Sequence, residues 1–208
     1  MKLVKKQTIL LIVLIIFYTV GVVGMNTSYR SDILALTPFN LLLSLACLYL
    51  SFKDYSFKKH VDLLLVAVAG YTVEWIGVHT SLLFGEYHYG DILGPKLDDI
   101  SLIIGVNWLL LTFSASAIVH KWQIPLALKA LIAGALMTAL DWLIEPVAIR
   151  LGFWSWHQSG IPVYNYVCWM IFSTLFCFWI LKRKTVETNQ VSTGLFVIML
   201  IFFAILNR

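Results

Sequence analysis

Ile124–Ile149 reads IPLALKALIAGALMTALDWLIEPVAI, and its 26 residues decide the fold class. The run exceeds the roughly 20 apolar residues that an α-helix needs to cross a bilayer. It nevertheless carries Asp141 and Glu145 in its second half, with Lys129 near its start. An ionisable side chain at the centre of a spanning helix costs roughly 2.5–3.5 kcal/mol on insertion scales, so each one needs an explanation. The i, i+4 spacing puts Asp141 and Glu145 on one helical face, one turn apart. Two carboxylates that close in a low dielectric do not both ionise cheaply, which predicts that one keeps a proton near neutral pH, as an acid catalyst requires. Pro146 removes a backbone donor beside them and predicts a kink or unwinding that frees a carbonyl.

The rest of the chain repeats the apolar theme. Of 208 residues, 60% are hydrophobic and 12% charged, and the mean hydropathy is +0.86. No soluble domain of this size could bury that much apolar surface in one core. Further apolar runs lie at about Gln7–Gly24, Ile33–Phe52, Val61–Leu83, Ile100–Val119, Pro162–Leu181 and Val191–Leu206. The expectation is therefore an all-α polytopic membrane helix bundle of about seven transmembrane helices, solvated by the lipid bilayer. With no repeat, low-complexity segment or long linker, residues 1–208 read as a single domain. The first run follows Lys2, Lys5 and Lys6. It is long for a cleaved leader and has no A-x-A site, so it reads as a retained helix.

Orientation follows from the basic residues. An N-in, C-out arrangement gathers Lys2, Lys5, Lys6, Lys53, Lys58, Lys59, Lys121, Lys182, Arg183 and Lys184 on the inner side, leaving Arg30, Lys96, Arg150 and Arg208 outside. The net charge of +4 is thus a topology signal and predicts no nucleic-acid partner. Cys47, Cys168 and Cys177 lie within apolar runs without CxxC spacing and read as packing residues.

A third intramembrane acid, Glu74, lies in Val61–Leu83. At roughly 1.5 Å per residue from the inner ends, Glu74 sits about 20 Å and Asp141 about 26 Å along their helices. Both levels fall in the outer half of the membrane, next to the polar stretch Phe84–Asp99, FGEYHYGDILGPKLDD. Trp75 and Trp142 adjoin Glu74 and Asp141 in sequence, which suggests a cavity pairing acids with ring faces that attract a developing cation. Hydrogen bonds within the bilayer from Asn107, Asn165 or Tyr166 could instead give the acids a structural task. No two of the five histidines stand at i, i+3 or i+4, so no metal site is expected. His79 is five residues beyond Glu74, roughly 140° round the helix. The chain also contains no G-x-S-x-G elbow, P-loop or dinucleotide fingerprint.

Read together, EWIGVHTSLLFGEYHYG (Glu74–Gly90), GPK (Gly94–Lys96), IGVNW (Ile104–Trp108), DWLIEPVAIRLGFWSW (Asp141–Trp156) and IPVYNYVCW (Ile161–Trp169) resemble the integral-membrane carotenoid 1′,2′-hydratases, the carotenoid-biosynthesis family that includes γ-carotene and bisanhydrobacterioruberin hydratases. The resemblance covers about residues 60–182. It implies addition of water across the terminal C1′–C2′ double bond of a ψ-end carotenoid, with an apolar carotenoid and water as partners and no redox cofactor. It further implies a bacterial or archaeal cytoplasmic membrane and neighbouring enzymes of the same pathway. Ser81 stands where the family pattern has Gly, and Asp98-Asp99-Ile100-Ser101 replaces an apolar pair.

Hydrating a trisubstituted alkene needs a proton at C2′, a pocket that tolerates the cation at C1′, and one placed water. Asp141 is the expected proton donor, with Glu74 orienting or deprotonating the water and Glu145 coupled to Asp141; the reverse assignment of Asp141 and Glu74 stays open. The substrate-binding set is Trp75, His79, Glu86, Tyr87, Tyr89, Asn107, Trp108, Trp142, Asn165 and Tyr166. In the polar stretch, Glu86, Tyr87 and Tyr89 read as a lid and Asp91, Asp98 and Asp99 as a solvated connector. Two rival readings remain: a carotenoid cyclase or isomerase that begins with the same protonation, and a transporter or lipid-binding protein in which the acids bind protons or an ion.

Overall fold

The computed structural model describes residues 2–157 and 160–208, without the Lys2 side chain. Its helices are α1 (Lys2–Gly24), α2 (Arg30–Ala35), α3 (Thr37–Leu50), α4 (Phe57–Thr80), α5 (Ile103–Val119), α6 (Leu126–Leu151), α7 (Val163–Arg183) and α8 (Gln190–Leu206). The protein is a helical membrane bundle. Of its helices, α1, α4, α6 and α7 are long and apolar enough to cross a bilayer. The others with apolar runs, α3, α5 and α8, have 14, 17 and 17 residues. Each expected run coincides with a helix, but Ile33–Phe52 is not continuous. Pro38 at the start of α3 has no N–H to give to a preceding turn, so the run divides at Leu36 into α2 and α3.

Two apolar helices with no polar face are used in opposite ways. In α5, 14 of 17 residues are buried, because α3, α4, α6, α7 and α8 all pack around it. By contrast, α1 exposes Ile9, Ile12, Ile16, Val20 and Val23, a surface that only lipid solvates well. Helices α6 and α7 pack closely at Gly134, a small residue that lets two backbones approach, and one turn on Thr138 Oγ1 lies 3.8 Å from Met170 Sδ. A Cβ on Gly134 would overlap Thr174 of α7.

The end of the bundle that carries most of the lysines is tied by polar contacts. Lys59 pairs with Glu187, and Arg183 Nε lies 2.6 Å from Asp62 Oδ1. Glu187 also accepts the backbone N–H groups of Lys53 (2.9 Å) and Asp54 (3.1 Å). Thr188 Oγ1 donates to the Ala117 carbonyl at 2.8 Å, and Gln7 Nε2 to the Ser51 carbonyl at 2.9 Å. These bonds join the ends of α1, α3, α4, α5, α7 and α8 and leave the opposite end free for a site.

That opposite end adds a feature absent from the all-α expectation. Strand β1 (Tyr87–Tyr89) pairs antiparallel with β4 (Trp154–Trp156), in register Tyr87↔Trp156 and Tyr89↔Trp154. A second small ribbon pairs β2 (Lys96–Leu97) with β3 (Ile100–Ser101). Its two turn residues, Asp98 and Asp99, have φ of 49° and 64°, the positive values of a type I′ hairpin turn, which Asp tolerates. The replaced apolar pair is therefore a tight turn, and Asp98 is not purely solvated: it accepts the Trp75 indole N–H at 2.6 Å. Pro146 does not unwind its helix, since α6 continues to Leu151.

Ser81 ends α4 in the left-handed region at φ 54°. A side chain there is strained where glycine is not. Ser81→Gly is therefore expected to stabilise the protein by about 0.5–1 kcal/mol, the left-handed penalty less glycine's greater unfolded entropy. A thermal midpoint in detergent that stays level or falls would contradict this.

Candidate functional site

Glu74 has the most donors of the three intramembrane acids. Tyr87 Oη donates to its Oε2 at 2.6 Å and Tyr89 Oη to the same oxygen at 2.7 Å. Trp108 Nε1 donates to Oε1 at 2.9 Å. The phenols converge because they are two residues apart on β1, where side chains alternate between faces. His88, between them, points the other way and bonds Ser155 Oγ at 2.8 Å. Burial, and then the charge of Glu74, push both phenols well above the ordinary tyrosine value of 10.0, so both remain donors at physiological pH. Trp108 reaches Glu74 because Gly70 of α4 leaves room for its Cβ and ring. The indole is fixed further by stacking on Trp169, with centroids 4.1 Å apart and planes at 10°.

The same alternation on β4 serves Glu145. Trp154 and Trp156 donate their indole N–H groups to Glu145 Oε2 at 3.1 and 2.9 Å. The β1–β4 ribbon is thus a lid that lays two phenols on one acid and two indoles on another. Asp141, buried in α6, has a thinner set of partners. Asn165 Nδ2 donates to its Oδ2 at 3.1 Å and lies 3.4 Å from Glu145 Oε1. Asp141 Oδ1 receives no protein donor among the described residues.

All three acids line one cavity, with Tyr87, Tyr89, Asn107, Asn165, Trp154, Trp156 and Trp169 around them and Phe84, Ile104 and Ile144 completing the wall. Its space for water centres is about 20 Å³, room for about one molecule. Of the residues expected from the sequence, Asp141, Glu74, Glu145, Tyr87, Tyr89, Asn107 and Asn165 come together here. Trp108 stands behind Glu74 as a donor.

Five do not reach the cavity. Trp75 and Trp142 adjoin acids in sequence, but consecutive helical residues point about 100° apart, and both indoles face outward, Trp142 at 61% exposure. Trp75 stacks on His79 at 4.8 Å, and His79 Nε2 lies 3.4 Å from Asp98, so His79 belongs to an outer cluster. Glu86 lines a separate polar pocket with His88, Asp99 and His157. Tyr166 follows Asn165 on α7 and is absent from the wall. Sequence reasoning missed Trp154, Trp156 and Trp169 as cavity residues. The period-2 patterns YHY and WSW were the available signal for the first two.

The acid cavity shares Ile104, Asn107, Ile144 and Trp154 with an apolar groove of about 200 Å³ between α1, α3, α5 and α8. Among known proteins, a family model described as carotenoid biosynthesis protein matches residues 36–208. Bisanhydrobacterioruberin hydratase of Haloarcula japonica is 27% identical over 173 residues, covering 76% of this chain and 59% of that protein. The chain thus spans about three fifths of that relative's length. No solved structure gives a significant match.

Proposed function

The chain belongs to the carotenoid biosynthesis protein family, and from that premise we propose that it adds water across the terminal C1′–C2′ double bond of a ψ-end carotenoid by acid catalysis. One observation carries the reading: a cavity with room for about one water brings together an acid with a single donor, Asp141, and an acid with three, Glu74. The three donors suit Glu74 to remain an acceptor. A carboxylate has about four acceptor positions, so one is left for water. Asp141 is the acid best placed to carry the transferable proton.

In the proposed reaction the Asp141 proton forms a C–H bond at C2′ as the π pair moves to it, leaving a tertiary cation at C1′. The faces of Trp154, Trp156 and Trp169 stabilise that charge. Water closes a C–O bond at C1′ and passes a proton to Glu74, from which it returns across the cavity to Asp141. One water is consumed and nothing is oxidised or reduced, so the chemistry calls for no redox cofactor. Glu145, held by two indoles and bridged to Asp141 through Asn165, positions the donor.

The proposal includes seven spanning helices in one domain, N-in and C-out, in the cytoplasmic membrane of a bacterium or archaeon, with pathway neighbours supplying the substrate. Expression in cells that make lycopene or γ-carotene is expected to yield a product heavier by one water. An unchanged carotenoid profile despite well-inserted protein would overturn the proposal in favour of transport or binding. A ring-bearing product of unchanged mass would overturn it in favour of a cyclase.

A further inference from the structure

The groove beside the acid cavity has a lining of a different kind. Phe17 and Gly21 of α1, Ile33 of α2, Leu41 of α3 and Phe202 of α8 are among its walls, and almost all of its surface is apolar. It lies where Ile33–Phe52 divides into two helices, so the break at Leu36 opens one side of the bundle beside the site. Ile104, Asn107, Ile144 and Trp154 are common to the groove and the acid cavity. The larger space suits an apolar chain and the smaller one a water molecule, with Asn107 at their junction.

We infer that this groove is the binding site for the terminal isoprenoid segment of a linear polyene, which enters from the lipid between α1, α3 and α8 and presents its last double bond to Asp141 past Asn107. The inference rests on the proposed hydratase reading for the identity of the chain. Apolar lining selects hydrocarbon, and the four wall residues shared with the acid cavity distinguish this groove from the lipid-facing furrow between α1 and α8, which shares none with that cavity.

Adjacent residues on α3 provide the test. Leu41 lines the groove, whereas Leu42 is 51% exposed and lies outside it. Lycopene is symmetric and acquires visible circular dichroism only when held in a chiral site, so the signal with purified protein in nanodiscs reports binding without turnover. Leu41→Trp is expected to remove this signal and to lower hydration by about tenfold or more, because a displaced double bond loses its alignment with the acid. Leu42→Trp is expected to retain both. Gly21→Leu, whose new side chain would press on the Phe202 ring, blocks the groove from another helix and keeps the test decisive if Leu41→Trp fails to fold. Wild-type binding and hydration in a folded blocking variant would overturn the inference and leave the hydratase reading standing, with the groove holding a lipid chain. Dichroism that the blocking variants abolish, with no hydrated product from wild type, would support the groove and overturn the hydratase reading.

Discussion

Asp141→Asn is expected to lower water addition by about 10²–10⁴-fold, the usual contribution of a placed general acid, while leaving the protein inserted and folded. The fold should survive because the substituted amide keeps an oxygen for Asn165 Nδ2, now 3.1 Å from Asp141 Oδ2. What it loses is a proton acidic enough to form the C2′–H bond. At 25 °C the expected loss corresponds to about 2.7–5.4 kcal/mol of barrier. The measurement is hydrated product per inserted protein, by chromatography and mass, from cells making the same carotenoid. Wild-type turnover in the variant would remove Asp141 from the donor role and return attention to the reverse assignment. Activity in Asp141→Glu would leave the donor chemistry intact and report only on placement.

What was legible in the sequence divides along a physical line. Helices that must cross lipid announce themselves locally, so every apolar run is helical although Ile33–Phe52 divides in two, and the rarity of intramembrane acids singled out Glu74, Asp141 and Glu145. Asn107 and Asn165 came with the family-like motifs IGVNW and IPVYNYVCW that carry them. Pairing of β1 with β4 joins Tyr87 to Trp156, 69 positions apart, and no local period specifies it. Local patterns therefore do not place Trp154 and Trp156 at an acid, although each donates to Glu145. Trp75 and Trp142 failed for the opposite reason: adjacency along the chain suggested adjacency in space, which helical geometry denies. Trp108 needed both a depth and a direction, and only the close approach allowed by Gly70 brings its N–H to Glu74.

Glu74 calls for two substitutions because it supports the site as well as the proposed chemistry. Glu74→Ala would strip the partner from three donors, Tyr87, Tyr89 and Trp108, in a position only 4% exposed. At about 1–3 kcal/mol for each orphaned group, a loss of roughly 3 kcal/mol or more of stability is expected, seen as a lower thermal midpoint in detergent and as loosening of the β1–β4 lid. Glu74→Gln preserves size and one oxygen. Its amide can turn that oxygen to Trp108 and let the phenols accept from its nitrogen, so the fold should hold with a much smaller shift. The amide cannot take a proton from the attacking water, however, and hydration should fall by about 10²–10⁴-fold. The split between the two variants separates the tasks. Full turnover in Glu74→Gln would remove the base assignment while leaving the donor network as a structural device, and equal destabilisation by Gln and Ala would show that the three donors require a charged acceptor.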